Sequence, residues 1–386
     1  MLKQYKLRDY NFRLVLWLIA LSTLGVLLVG SAEASLENKQ LAGVILGVFI
    51  MLILSLIDFS WILNFYWIIY GVNILLLLLV IVAGSSAGGA TRWFAIGGFR
   101  FQPVELSKIL LILFFSKYFM VHENDLNKPK IILRSLALIG LPLILIFRQP
   151  DLKNTITIFI LFSLLYYAAG LSYKFIFSVL AIVIVLGAVF MTIVIQPNQS
   201  LIKDYQRKRI MAFLNPDSPE YTDDTTQQNN SVTAIGSGEL TGKGLNNSSV
   251  SSANKGNFIS QIQTDFIFAV AGEELGFLGS AGIVILLLLI VLECLLMSRR
   301  AKDLSGRIVC CGMAAVVSIQ SFINIGVATR MLPNTGTPLP FVSYGLTSLV
   351  SLFIGMGIVL NVGLQNRIHV PEVRRTSRQK GVRISL

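Results

Sequence analysis

The chain has 386 residues, of which 54% are apolar and 13% charged, and its formal charge is +12. That charged fraction is about half of what soluble domains carry, which excludes a soluble enzyme, a disordered chain and a fibrous repeat. A bilayer-crossing helix takes about 20 apolar residues, so ten of them would absorb ~200, nearly the whole apolar stock.

In chain order, sparsely charged apolar runs predict spans near 12–32, 40–58, 60–84, 103–120, 131–147, 155–171, 173–196, 275–297, 308–329 and 342–364. The fold class expected is an all-α integral membrane protein, a single polytopic domain over 1–386 with about ten transmembrane helices. Ala32-Glu33-Ala34 has the form of a signal-peptidase site, but the apolar run before it is long and nine further spans follow, so the first helix is read as retained. Placing both termini in the cytoplasm puts 18 of the 32 basic residues inside, including six in a basic tail over 365–386. The short outer segments then hold Lys39, Arg92, Arg100, Arg148, Lys153 and Arg330. This is the positive-inside bias. The tail reads as a juxtamembrane cluster beside anionic lipid rather than a nucleic-acid arm, and no nucleic-acid partner is expected. Cys294, Cys310 and Cys311 offer neither a disulfide framework nor metal-ligand spacing. His122 and His369 sit at span ends and read as interfacial residues.

Residues 197–262 form one large polar loop, extracellular in this orientation. Leu201–Leu214 mixes apolar and basic residues and predicts an amphipathic helix on the outer interface. Gln227–Ser231 and Asn246–Asn257 read as mobile. Ionisable residues within spans are expensive and mark function. Here they gather toward span ends, with none clearly at the midplane, which favours chemistry at the outer face over ion-coupled transport.

Particular segments carry the chemistry. Gly84–Gly98, with Arg92 and Trp93, reads as a glycine-rich re-entrant or interfacial loop. Phe99-Arg100-Phe101-Gln102-Pro103-Val104-Glu105 and Phe147-Arg148-Gln149-Pro150-Asp151 each place proline near a helix start with a carboxylate close by. Good helix-start chemistry explains that pattern, and so does a polar site. Glu105 and Lys108, at i and i+3, face one another on a helix. Gly236–Gly244 invites a phosphate-loop reading, but the spacing fails and Lys243 is followed by Gly. Asp265, in Gln263-Thr264-Asp265-Phe266, sits where the long loop meets apolar sequence. A carboxylate withdrawn from water there is a better base than a hydrated one, and a helix N-cap fits the same spacing.

Taken together, these residues resemble the SEDS family (shape, elongation, division and sporulation) of the RodA, FtsW and SpoVE type. The resemblance rests on Gly89-Ala90-Thr91-Arg92-Trp93, Phe101-Gln102-Pro103-Val104-Glu105-Leu106-Ser107-Lys108 and Gln149-Pro150-Asp151-Leu152. It continues through Tyr205-Gln206 to Arg209-Ile210, Ile235–Gly244, Thr264-Asp265-Phe266-Ile267-Phe268, Asn324-Ile325-Gly326 and Pro338-Leu339-Pro340-Phe341-Val342-Ser343-Tyr344-Gly345. The last segment is more similar to RodA than to FtsW. Two departures stand out: Leu346-Thr347 follows Gly345 where the family has Gly-Ser, and Ser260-Gln261-Ile262-Gln263 replaces the usual Pro-Glu-x-His.

The resemblance implies a peptidoglycan glycosyltransferase of the bacterial cytoplasmic membrane acting on lipid II. In that reaction the 4-hydroxyl of one lipid-linked disaccharide attacks C1 of another and releases undecaprenyl pyrophosphate. It implies Asp265 as general base, Glu105 and Lys108 as a pair lining the outer cavity, Asp151 as a further site acid, and a class B penicillin-binding protein as partner. Arg92, Arg148, Arg207, Arg209 and Lys243 are candidate pyrophosphate cations, and Trp93, Gln102, Thr264, Ser343 and Tyr344 complete the candidate cavity. No cofactor is fixed; a divalent cation (Mg or Mn) would suit the leaving group, but no ligand cluster stands out. A lipid II flippase and a noncatalytic scaffold that recruits a penicillin-binding protein are the alternative readings.

Overall fold

A computed structural model describes residues 10–87, 90–96, 99–172, 185, 187, 189–196, 202–216, 218, 222–246 and 259–365. Its helices are α1 (Phe12–Ala32), α2 (Ala34–Leu56), α3 (Phe59–Leu63), α4 (Tyr66–Ala83), α5 (Pro103–Val121), α6 (Pro129–Arg148) and α7 (Leu152–Ala169). Then come α8 (Asp204–Leu214), α9 (Thr222–Ser237), α10 (Ile267–Arg300), α11 (Leu304–Ala328) and α12 (Leu346–Gln365). Eight of them, α1, α2, α4, α6, α7, α10, α11 and α12, are long and apolar enough to cross a membrane. Helix α5 matches the predicted span at 103–120 but carries Glu105, Lys108 and Lys117. Of the predicted span at 173–196, residues 173–184 lie outside the described residues, as do 247–258 and the basic tail from 366.

The glycine-rich segment is a small antiparallel sheet rather than a loop. Strands β1 (Ser85–Ala87), β2 (Ala90–Ile96) and β3 (Phe99–Phe101) lie in the order β1-β2-β3. Ala87 pairs with Ala90, and Ile96 with Phe99. Two further departures concern helix limits. The last span starts at Leu346 rather than 342, because Leu339–Tyr344 turns back toward the 261–265 turn through Ser343 and Tyr344. The second span starts at Ala34, with Glu33 hydrogen-bonded back to Val29 as α1 ends.

The N-termini of α5, α7, α10 and α12 meet the C-termini of α1, α4, α6 and α11 at one end of the bundle, here the loop end. At the opposite end, α4, α5 and α7 interlock through aromatic rings. Phe114 lies 4.5 Å from Tyr70, and Phe119 stacks on Tyr166 at 4.5 Å. Such offset and tilted pairs add about 0.5–1.5 kcal/mol each beyond their burial. Pro142 lies inside α6 and has no N–H for the Leu138 carbonyl four residues back. The Tyr70 hydroxyl donates to that carbonyl at 2.7 Å, so the gap is filled from α4. Helices α2 and α12 pack through the small-residue face Gly43, Gly47 and Ser55, with Phe353 against Gly47. Close backbone approach of this kind drives helix association in lipid. Asn361 ties their far ends, accepting from Phe59 N–H and donating to the Ser55 carbonyl.

Two features of the long loop run against expectation. Gln227–Ser231 is ordered helix: it lies within α9, whose face Thr225, Gln228, Ser231 and Ala234 is buried. Gln228 donates to the Val327 and Leu332 carbonyls and Ser231 to the Ala328 carbonyl. The Val327 and Ala328 carbonyls lie in the last turn of α11, where carbonyls lack partners within the helix, so the polar face of α9 caps α11 and ties it to the Leu332 turn beyond.

The glycine segment completes a broken helix. Helix α10 leaves helical geometry at Gly276 (φ 65°, ψ −163°), a region that essentially only glycine occupies. A regular helix would bond Phe277 N–H to Glu273 O and Leu278 N–H to Glu274 O. Instead Lys243 and Gly244 N–H donate to the Glu273 and Glu274 carbonyls at 3.0 Å. Phe277 and Leu278 N–H donate to the Glu239 and Leu240 carbonyls at 2.8 and 3.1 Å. A β-carbon on Gly238 would come 1.9 Å from the Gly272 carbonyl oxygen, so the close approach requires glycine. The phosphate-loop look of the segment has this structural cause.

Candidate active site

Three carboxylates and three cations meet at the loop end. Glu105, in the first turn of α5, is buried and pairs with buried Lys108 at 2.8 Å, as the i,i+3 spacing predicts. Gln320 of α11 donates to its other oxygen at 3.4 Å. Asp151 is the N-cap of α7: it accepts from Asn154 N–H at 3.3 Å and from Asn154 Nδ2 at 2.9 Å. Arg92, on β2, stands 3.9 Å from the same carboxylate, and Gln102 reaches it at 3.5 Å. Arg92 also donates to the Pro150 carbonyl at 2.7 Å and to the Tyr205 hydroxyl. Tyr205 and Gln206 of α8 donate to that same Pro150 carbonyl, at 2.8 and 3.1 Å. The sheet, the start of α7 and α8 are therefore locked together around Asp151.

Asp265 lies in a turn just before α10, where the N-cap residue is Phe266. It is partly exposed, whereas Glu105 and Asp151 are buried. Its backbone is held from two directions. Asn324 of α11 donates to the Asp265 carbonyl at 2.9 Å and to the Thr337 carbonyl at 2.7 Å. The Ser343 hydroxyl donates to the Thr264 carbonyl at 2.6 Å while accepting from Leu339 N–H, and Tyr344 N–H donates to the Gln263 carbonyl. Gln40 of α2 closes the frame on the Ser343 carbonyl at 3.2 Å. Burial pushes the Tyr344 phenol up from its usual range, so it is neutral at any working pH. The segments Thr264-Asp265, Asn324-Ile325-Gly326 and Pro338–Gly345, far apart in sequence, form this one constellation. A residue fixed through its own backbone and left partly exposed is what a proton acceptor requires.

Not every candidate joins the cluster. Arg148 is exposed in the last turn of α6. Arg207 donates to the Val194 and Ile195 carbonyls, at the end of the helical residues 189–195. Arg209 is half-buried in α8. Lys243 pairs with buried Glu273 at 2.9 Å beside the α10 break. Trp93 is half-buried in β2, its carbonyl accepting from Ser85. The sequence reading passed over Lys153, Gln320 and the anchoring role of Asn324. Lys153 interacts electrostatically with Asp151, Asp265 and Glu105. Its signal was available, since a cation in the first turn of an apolar helix opposes the helix dipole. Among the described residues no group of three or more His, Cys, Asp or Glu side chains is placed to hold a metal ion. Lys108 pairs with Glu105 and Arg92 with Asp151.

Fold and site define the class: a multi-pass membrane protein that gathers buried charge around one accessible acid at one end of its helices. The chain belongs to the FtsW/RodA/SpoVE family, whose sequence model, described as a cell cycle protein, matches residues 11–368. It is 32% identical to a probable peptidoglycan glycosyltransferase FtsW of Geobacter sulfurreducens, over 92% of this chain and 96% of that one. It is also 32% identical to the peptidoglycan glycosyltransferase MrdB of Escherichia coli, over 90% of this chain and 92% of that one. A chain from a structure titled for the coordination of polymerization and crosslinking by a peptidoglycan synthase complex superposes with a TM-score of 0.76. The identity there is 27%, and 93% of this chain and 98% of that one are covered. The rod shape determining protein RodA of Thermus thermophilus gives a TM-score of 0.68 at 25% identity over the same shares.

Proposed function

We propose that the chain is a peptidoglycan glycosyltransferase that polymerises lipid II at the outer face of the bacterial cytoplasmic membrane, with both termini inside. Asp265 takes the proton from the 4-hydroxyl of one lipid-linked disaccharide as that oxygen attacks C1 of the other. The C1–oxygen bond to undecaprenyl pyrophosphate breaks and the diphosphate leaves with the bonding pair. A base in this role contributes about 10²–10⁴-fold. Fixed cations near a developing anion stabilise it without reorganising, a task for which Arg92 and Lys108 are the candidates. The observation that carries the reading is the turn at Asp265, anchored through its backbone by Asn324, Ser343 and Tyr344, with the residue itself left partly exposed.

A class B penicillin-binding protein is the partner this reading expects, in keeping with the synthase complex to which the fold is similar. The test is polymerisation of lipid II by the purified protein, with and without that partner, for the native chain and Asp265→Asn. The native chain is expected to build glycan and the variant to build none at unchanged membrane insertion. Lipid movement across vesicles without chain growth would mark a flippase instead. Full polymer yield from Asp265→Asn would remove the base assignment.

A further inference from the structure

Lys153 has no part in the reaction as described, yet its position is unusual. It stands in the first turn of α7, two residues after the Asp151 cap. A cation there faces the positive end of the helix dipole, an unfavourable arrangement unless nearby charge offsets it. The offset comes from three separate elements: Asp151 before α7, Asp265 before α10 and Glu105 on α5, with Arg92 of β2 opposing. The ammonium is also engaged by geometry, donating to the Gly336 carbonyl.

Gly336 connects this lysine to the candidate base. It has φ of 69°, and a β-carbon built on it would lie 2.9 Å from Asp265 Oδ2. The carbonyl that Lys153 holds therefore belongs to the residue against which the Asp265 carboxylate rests. One residue further on, the Thr337 carbonyl is held by Asn324, which also holds the Asp265 carbonyl. The Gly336-Thr337 turn is thus gripped by Asn324 on one side and Lys153 on the other, with the carboxylate between them.

We propose that Lys153 is a positioning residue for the base: its ammonium pins the Gly336 turn against the Asp265 carboxylate. The inference rests on the polymerase reading only for its kinetic consequence, not for the coupling itself. Without the ammonium the turn loses its tie to α7, and the carboxylate loses the wall it rests on. Misplacing a reacting group by about 1 Å costs on the order of 10²-fold in rate.

Two measurements on the full-length protein in detergent test this. The first is thermal melting of Lys153→Met, Asp265→Asn and the double variant, which needs no substrate. Coupling is expected: Lys153→Met should shift Tm by about 2 °C more in the native background than in the Asp265→Asn background. Additive shifts would overturn the proposal, and would do so even if the chain proved not to polymerise. The second is steady-state polymerisation. Lys153→Met is expected to lower kcat about 10- to 100-fold at unchanged KM, and Lys153→Arg to recover most of it. A raised KM with kcat kept would make Lys153 a substrate contact, and unchanged kinetics would make it structural; either result overturns the proposal. A native chain that makes no polymer would defeat the polymerase reading alone, since the melting cycle would still stand.

Discussion

At the end of the bundle away from the loop, Tyr70, Phe114, Phe115, Phe119 and Tyr166 meet ring to ring, and all five rings stand on the long helices α4, α5 and α7. At the loop end the backbone is a sheet, a broken helix and two tight turns, held by Arg92, Asn324, Ser343 and the glycine segment. Irregular backbone near membrane depth survives only where protein satisfies each of its polar groups. The contrast shows a division of labour. The aromatic end holds the helices together, and the loop end uses that rigidity to fix one accessible carboxylate.

Four substitutions would break or sharpen that contrast. The largest effect on activity belongs to Asp265→Asn, which should cut lipid II polymerisation by about 10²–10⁴-fold with little change in Tm. Phe114→Ala removes a fully buried ring from the centre of the aromatic cluster. It should destabilise by about 3–5 kcal/mol in a denaturation titration while the protein that remains folded polymerises normally. If Phe114→Ala instead slowed turnover of the folded protein, the two ends would not be independent. Gly276→Ala lies between the two: the strained backbone alone costs about 1–3 kcal/mol. Because the break is bonded to the Glu239–Gly244 segment and not to the Asp265 turn, the melting temperature should fall while the protein that remains folded keeps most of its polymer yield. The smallest effect is that of Tyr70→Phe, about 1 kcal/mol, from leaving the Leu138 carbonyl without a donor. In a Pro142→Ala background the helix supplies its own N–H to that carbonyl, so the same Tyr70→Phe change should cost less. Equal costs in the two backgrounds would mean that the hydroxyl does not serve the proline gap.

The membrane helices were legible because lipid imposes one rule on them: apolar length. Phe12–Ala32 coincides with the predicted span, and Pro103–Val121 and Leu304–Ala328 lie within a few residues of theirs. The resemblance placed Thr264-Asp265, Asn324 and Ser343-Tyr344 in one family, but only the fold brings them into one frame. Helix α9 escaped notice because its buried face is Thr225, Gln228 and Ser231, which read as solvent-facing in sequence. The sheet escaped although Gly88-Gly89 and Gly97-Gly98 separate its strands, a two-glycine spacing that signals hairpins. Lys153 was counted toward membrane orientation, and two of the carboxylates that act on it, Asp265 and Glu105, come from distant parts of the chain. Charge bookkeeping by segment cannot reveal a partner that tertiary structure supplies.

The break at Gly276 also sets a length. Helix α10 runs for 34 residues, which unbroken would measure about 51 Å against a hydrocarbon core of about 30 Å. From Phe277 to Arg300 the helix is about 36 Å long, a match for a bilayer with slight tilt. Above the joint, Ile267–Glu274 is buried in protein. The joint is bonded on both sides to the glycine segment, so the angle at which the lower helix enters the bilayer is set by protein rather than by lipid.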